Sequence, residues 1–191
     1  KRVALRVDLA HALQRDAAPD QPRLEIHHPV RVGEVARHLG VGALDRAGAL
    51  IDRIKDADLS KYNNFDPDLP APDPGYILVI DQTRNDAAIA HAGASAATFR
   101  EMLAAARREN PGSVILIRSH PETRLGLRPG HFTAADQDAQ VRLLTDPISP
   151  HRLLANATAV YTVSSQLGFE AILHGHRPRV FGQPFYAGWG L

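Results

Sequence analysis

The spacing of apolar residues changes once along this chain. From Lys1 to about Asn64 the signals are helical: the run Val30 to Leu39, then Leu44, Ala47, Leu50, Ile51 and Ile54 at three- and four-residue intervals. Phe65 to Gly75 follows, with Pro67, Pro70, Pro72 and Pro74 at nearly alternate positions. Prolines so placed deny the backbone the donors of a helix or ladder and favour extended geometry, so this stretch reads as a linker. Beyond it the pattern becomes strand, helix, strand, helix. Tyr76–Ile80 (YILVI) is a β-branched run, and Ala96–Arg108 a helix with Phe99, Met102, Leu103 and Ala106 on one face, stopped by Asn110-Pro111-Gly112. Ser113–Ile117 (SVILI) is apolar throughout, as a strand covered on both faces would be. A loop runs through Pro129-Gly130. Val141–Leu144 reads as a strand, Pro150–Asn156 as a helix, Val160–Val163 as a strand, Gln166–His174 as a helix ended by Gly175, and Arg179–Phe181 as the last strand.

This alternation predicts an α/β fold, a parallel sheet with helices on both faces, preceded by a short, mostly helical segment. The expected division is an N-terminal segment over 1–64, a linker over 65–75 and a sheet domain over 76–191. Ligands of such sheets bind beyond the carboxyl ends of the strands.

Three strand ends carry polar loops. After YILVI comes Asp81-Gln82-Thr83-Arg84-Asn85-Asp86. A carboxylate there is a base, a nucleophile, a ligand to a sugar hydroxyl or simply a helix cap. After SVILI comes Arg118-Ser119-His120-Pro121-Glu122. Its histidine, held between strand and proline, either contacts a phosphate leaving group or is a surface residue, and Arg118 either faces phosphate or pairs with Glu122. After YTV comes Ser164-Ser165-Gln166-Leu167-Gly168-Phe169-Glu170. Two hydroxyls and the free N–H groups of a helix start suit an anion, and serine there is also the commonest plain cap. Gly168 permits a close approach, and Glu170 either meets ribose hydroxyls or favours the helix dipole.

Composition narrows the chemistry. With 22 Lys+Arg against 21 Asp+Glu the net charge is +1, so no global field points to nucleic acid. At 44% hydrophobic and 23% charged, the chain is neither disordered nor fibrous. The absence of cysteine removes disulfides, thiolate metal sites and cysteine nucleophiles. No run of about 18 apolar residues predicts a transmembrane span. Gly-x-Gly-x-x-Gly, the P-loop and His-Glu-x-x-His are all missing, which argues against dinucleotide-binding and P-loop domains. Asp136-Gln137-Asp138 lies away from any strand end, and no metal is expected.

Five segments together carry a resemblance: LSKYN (Leu59–Asn63), VIDQTRND (Val79–Asp86), His120-Pro121, TVSSQLGFEA (Thr162–Ala171) and FGQPFYAGWGL (Phe181–Leu191). In this order, from about Leu44 to Leu191, they resemble the capsule polysaccharide biosynthesis family of bacterial β-Kdo transferases, the KpsC type. The resemblance implies a retaining glycosyltransferase of GT-B-like, paired Rossmann-type architecture. It would move Kdo from CMP-Kdo to a lipid-linked oligo-Kdo acceptor, working with other capsule assembly proteins. It implies a cytoplasmic location peripheral to the inner membrane, no cofactor beyond the donor substrate, and no nucleic-acid partner. Bacterial sialyltransferases are similar in their His-Pro and Ser-Ser motifs.

Carried over by position, His120 and Pro121 meet the CMP phosphate, Ser164, Ser165 and Gln166 bind it at the helix start, and Glu170 takes the ribose. Asp86 is the expected nucleophile or base, with Asp81 its rival, and His120 assists departure of CMP. Gln82, Lys61, Asn63 and Tyr186 are expected at the cleft, with Tyr62 beside Lys61 and Trp189 as a second stacking ring. Arg118 stands where the family pattern has Lys. Some 70 residues before the linker are too few for a whole acceptor domain, so the chain reads as a donor-binding half with part of its partner, truncated at the C-terminus. The alternative is a non-catalytic nucleotide-binding module or a fragment of a capsule export or assembly protein.

Overall fold

Residues 42–189 are described by a computed structural model. The expected helix over Val30 to Leu39 lies outside the described residues. Helix α1, Ala43–Asp56, follows the predicted three-and-four spacing but buries no residue; Leu50 is 59% exposed. Residues from Asp45 onward gather into one compact unit.

Five strands form the sheet: β1 Tyr76–Ile80, β2 Ile115–Arg118, β3 Val141–Leu144, β4 Ala157–Thr162 and β5 Arg179–Val180. Their order is β3-β2-β1-β4-β5, and every pair is parallel. The chain steps outward from β1 through β2 to β3, then returns to the other side of β1. The reversal falls between β1 and β4, the topological switch point of an open α/β sheet.

Both faces are covered, which is why YILVI is buried at every position. On one side Ile77, Val79, Ile115 and Ile117 pack against Phe99, Met102 and Ala106 of α3, Ala96–Glu109, and Ile89 of α2, Ala87–His91. On the other, Tyr76, Leu78, Ile80 and Leu116 meet Leu153 and Leu154 of α5, Pro150–Asn156, and Leu167 and Ala171 of α6, Gln166–Leu173. A four-residue helix, α4, Pro121–Arg124, follows β2.

The strand boundaries differ from the sequence expectation most at β2 and β4, while β4 and β5 each end one residue early, at Thr162 and Val180. β2 starts two residues later and ends on Arg118, because its register with β1 runs from Ile77↔Ile115 to Ile80↔Arg118. β4 starts at Ala157, directly from α5, because Ala157 pairs with Tyr76 across a register irregularity. Neither Ala157 nor Thr158 carries the apolar signal of a strand.

The segment 57–75 has no strand and runs along the α5 side of the sheet. Leu69 and Ala71 pack on that core. Asp66 N–H donates to Pro147 C=O at 2.7 Å, Asn156 Nδ2 to Pro72 C=O at 2.9 Å, and His151 Nε2–H to Leu59 C=O at 2.6 Å. These contacts deliver Ser60, Lys61 and Tyr62 to the carboxyl end of the sheet.

Candidate functional site

A cleft of about 250 Å³ opens at the carboxyl ends of β1, β2 and β4, at the switch point. Three of its residues are helix caps. Asp86 caps α2, its Oδ1 accepting from Ala88 N–H at 3.0 Å. His120 caps α4, its Nδ1 accepting from Glu122 N–H at 3.2 Å. Ser165 caps α6, its Oγ accepting from Leu167 N–H at 3.3 Å. Each strand end passes through a loop of two to six residues into a helix, and the side chain that caps the helix satisfies an orphan donor while standing at the cleft.

The cap on His120 decides its chemistry. With Nδ1 occupied as an acceptor, the neutral ring carries its proton on Nε2 and offers it as a donor. Burial holds the His120 pKa below the usual histidine range. Glu122 and Asp86 oppose that shift, and Lys61 and Arg128 add to it. The Tyr62 ring stands edge-on to the imidazole at 5.2 Å between centroids.

β1 and β4 are joined across the switch point by Gln82. Its Oε1 accepts from Ser164 N–H at 3.0 Å, and its Nε2 donates to Ser164 Oγ at 3.1 Å. Buried Gln82 therefore sets the height of the Ser-Ser turn. Asp81, 2% exposed, turns its carboxylate to backbone: Oδ1 accepts from Gln82 and His131 N–H, and Oδ2 from Phe132 N–H at 3.4 Å. Burial pushes its pKa up to about 6 despite those three donors and Arg84. Gly130 packs against the Asp81 carboxylate so closely that a Cβ there would collide with it.

Glu170 is buried inside α6 and reaches back across the cleft. Its Oε2 accepts from Ser60 Oγ at 2.8 Å and its Oε1 from Lys61 N–H at 3.3 Å. It thereby holds segment 60–61 at the rim. Arg118 also lines the cleft, and burial lowers its pKa to about 10, with Glu170 opposing and Arg124 reinforcing the shift. It remains a cation at neutral pH.

Asp81, Gln82, Asp86, His120, Pro121, Ser164, Ser165, Gln166, Glu170 and Lys61 thus share one cleft. Asn63 and Tyr186 do not line it. Asn63 is occupied with the backbone of Ser60, accepting from its N–H at 2.9 Å and donating to its C=O at 2.8 Å. Tyr186 is 1% exposed, and its hydroxyl donates to Ser165 C=O beneath the α6 cap. The neighbouring ring, Phe185, lines the cleft instead, with Trp189 packed edgewise on it. Ser60 and Phe185 line the cleft without being expected there; each lies in a family motif, LSKYN or FGQPFYAGWGL, beside an expected residue, Lys61 or Tyr186. Asp136 and Asp138 pair with Arg100 and Arg107 of α3, away from the cleft. Among the described residues, no three His, Asp or Glu side chains cluster as a metal site.

An open parallel sheet with capped strand ends around a polar cleft at its switch point defines a Rossmann-type α/β lobe. The chain belongs to the capsule polysaccharide biosynthesis protein family, whose model matches residues 49–191. The capsule polysaccharide modification protein LipA of Neisseria meningitidis serogroup B is 42% identical over 154 residues, covering 78% of this chain and 22% of that protein. The lipopolysaccharide-processing protein LpsZ of Rhizobium meliloti is 33% identical over 152 residues, covering 78% of this chain and 34% of LpsZ. Among solved structures, Thermosulfurimonas dismutans KpsC, beta Kdo 2,4 transferase, is 36% identical with a TM-score of 0.69, over 81% of this chain and 51% of that one. The beta Kdo 2,7 transferase structure of the same KpsC, 24% identical at a TM-score of 0.57, shares the fold. This chain therefore spans about half the length of the transferase structure and less of the curated relatives.

Proposed function

We propose that this chain is the donor-binding lobe of a retaining glycosyltransferase that moves Kdo from CMP-Kdo to a lipid-linked oligo-Kdo acceptor in capsule biosynthesis. The observation that carries the reading is the meeting, in one cleft, of the His120 Nε2 donor with the capped start of α6. The likeness to the 2,4 transferase structure supports the sugar and the reaction.

The phosphate of CMP lies on the α6 start, where Ser164, Ser165 and the backbone N–H groups around Gln166 meet its charge. Neutral His120 donates Nε2–H to the phosphate oxygen that leaves. Asp86 is the nucleophile: its Oδ1 is spent on the cap, and among the described residues its Oδ2 accepts no hydrogen bond. That oxygen bonds to the anomeric carbon as the carbon–phosphate oxygen bond breaks, its electron pair leaving with CMP. An acceptor hydroxyl, its proton passing to water, then attacks the anomeric carbon as the bond to Asp86 breaks and frees its carboxylate, and two inversions give retention. Asp81 is the weaker candidate because its oxygens face backbone donors. Glu170 takes the ribose with the lone pairs left over from Ser60 and Lys61. The reading needs no metal, and a lipid-linked acceptor calls for work at the cytoplasmic face of the inner membrane, among other capsule assembly proteins; among the described residues no helix is long and apolar enough to cross a membrane.

Thermal unfolding with CMP tests this. At 100 times its dissociation constant, CMP adds about 2.7 kcal/mol of stability, a rise in Tm that UDP does not match. His120→Ala, or Ser164→Ala with Ser165→Ala, abolishes the rise; no CMP effect on the wild type would overturn the reading. The alternative reading is a nucleotide-binding module without activity or a piece of a capsule export or assembly protein. CMP binding without Kdo transfer by the longest protein that carries this chain would select it.

A further inference from the structure

Arg118 is a cleft cation for which the phosphate contacts have no use. It ends β2, and side-chain alternation puts it on the face of Leu116, the side covered by α5 and α6. A guanidinium has five N–H donors in a fixed fork. Among the described residues, Arg118 has no carboxylate within 4.0 Å and its side chain makes no hydrogen bond. Glu122, its expected partner, pairs with Arg128 at 3.3 Å instead. Glu170, across the cleft, directs its oxygens to Ser60 and the Lys61 backbone. Lys61, the other cation lining the cleft, is exposed, with its ammonium 4.9 Å from the Tyr62 ring centroid. A half-buried guanidinium with an unfilled fork, open to the cleft, suits a carboxylate, which it grips through two parallel hydrogen bonds.

A 2-keto sugar acid carries its carboxylate on the same carbon as the leaving phosphate, so its nucleotide brings two anions into the cleft together. His120 and the α6 start take one. Resting on the reading above, we infer that Arg118 grips the carboxylate at the anomeric carbon of the donor and so selects sugar acids over neutral nucleotide sugars. The same contact fixes the rotation of the sugar about its bond to phosphate, which sets the face presented to Asp86.

Calorimetric titration of CMP and of CMP-Kdo into wild type, Arg118→Met and Arg118→Lys tests this. CMP affinity stays within about 3-fold in all three, which also shows that the variants are folded. CMP-Kdo weakens by about 30-fold in Arg118→Met, the loss of one charge-assisted bidentate pair of about 2 kcal/mol. Arg118→Lys keeps the charge without the fork, recovers part of that loss, and serves if the methionine variant does not fold. An equal loss for CMP would assign Arg118 to the phosphate, and undiminished CMP-Kdo binding would leave the carboxylate without this partner; either overturns the inference. Wild type that binds neither ligand overturns instead the functional reading on which it rests.

Discussion

Gly168, in the first turn of α6, is the position where a single methyl group tests how the anion site is built. A Cβ there would stand 2.8 Å from Thr162 Cγ2 and from Tyr186 Cζ, and closer still to the Tyr186 hydroxyl. None of the three has room to retreat, since Thr162 is fully buried and Tyr186 is 1% exposed. In an open helix, Gly→Ala stabilises by about 1 kcal/mol. Overpacking a closed site costs about 1–3 kcal/mol, and two rigid contacts put this one near the top of that range. The net expectation for Gly168→Ala is a loss of about 2 kcal/mol, or a fall in Tm of about 4–8 °C for a unit of this size. Tyr186→Phe alone costs about 1 kcal/mol, because Ser165 C=O keeps its bond from Gly168 N–H at 2.9 Å. Removing the hydroxyl also removes the nearest clash, so the double variant is more stable than the two losses added together, by about 1 kcal/mol. Chemical denaturation of all four proteins measures the cycle. A Gly168→Ala protein as stable as wild type, or strictly additive losses, would refute the claim that the missing Cβ makes room for Tyr186 under the Ser165 cap.

Two further outcomes follow from the same geometry. Raising the Asp81 pKa from 3.8 to about 6 means that the fold favours its protonated form: this stability is present below about pH 4 and is lost as pH rises through 6. The loss amounts to about 3 kcal/mol at 1.36 kcal/mol per unit. His120, His131 and His174 have depressed pKa values and slope the opposite way, losing stability as pH falls below the usual histidine range. The measurement is therefore the difference between wild type and Asp81→Asn across pH 4–7, which narrows as pH rises; a constant difference would sink it. Ser60→Ala removes a charge-assisted bond to Glu170 and costs about 1.5 kcal/mol, with faster hydrogen exchange at the Lys61 amide. Unchanged exchange there would mean that Glu170 does not hold the rim.

The strands that bury both faces were legible in the sequence because a fully covered strand needs no alternation: YILVI has the same bounds in sequence and structure. The start of β4 was not, since Ala157-Thr158-Ala159 owes its conformation to pairing with β1 and not to its own propensity. Helices α2 and α4 escaped for another reason. Five and four residues are too few to display a 3.6-residue period, so the sequence does not show which of Asp81 and Asp86 is a cap, nor that His120 starts a helix. At the cleft rim, Ser60 depends on a contact 110 residues away, which no local pattern contains. The choice between Phe185 and Tyr186 likewise rests on the hole left by Gly168. Only the fold tells which of two adjacent rings fills it.

Reading a strand-end carboxylate or serine as either a helix cap or a functional group, and His120 as either a functional group or a surface residue, poses a choice that the geometry does not require. A cap occupies one acceptor of a side chain that has two polar atoms. His120 gives Nδ1 to Glu122 N–H and keeps Nε2–H; Asp86 gives Oδ1 to Ala88 N–H and keeps Oδ2. The bond that is made fixes the direction of the atom that is not, at no cost in side-chain entropy when a ligand arrives. For histidine it does more, because occupying Nδ1 selects the tautomer that donates. Capping is thus the device that aims these side chains. A His120→Asn variant, which can still cap through Oδ1 but turns no donor of comparable reach into the cleft, therefore keeps most of the stability of wild type while losing most of the Tm rise with CMP. Loss of both together would show that cap and ligand contact cannot be separated in this way.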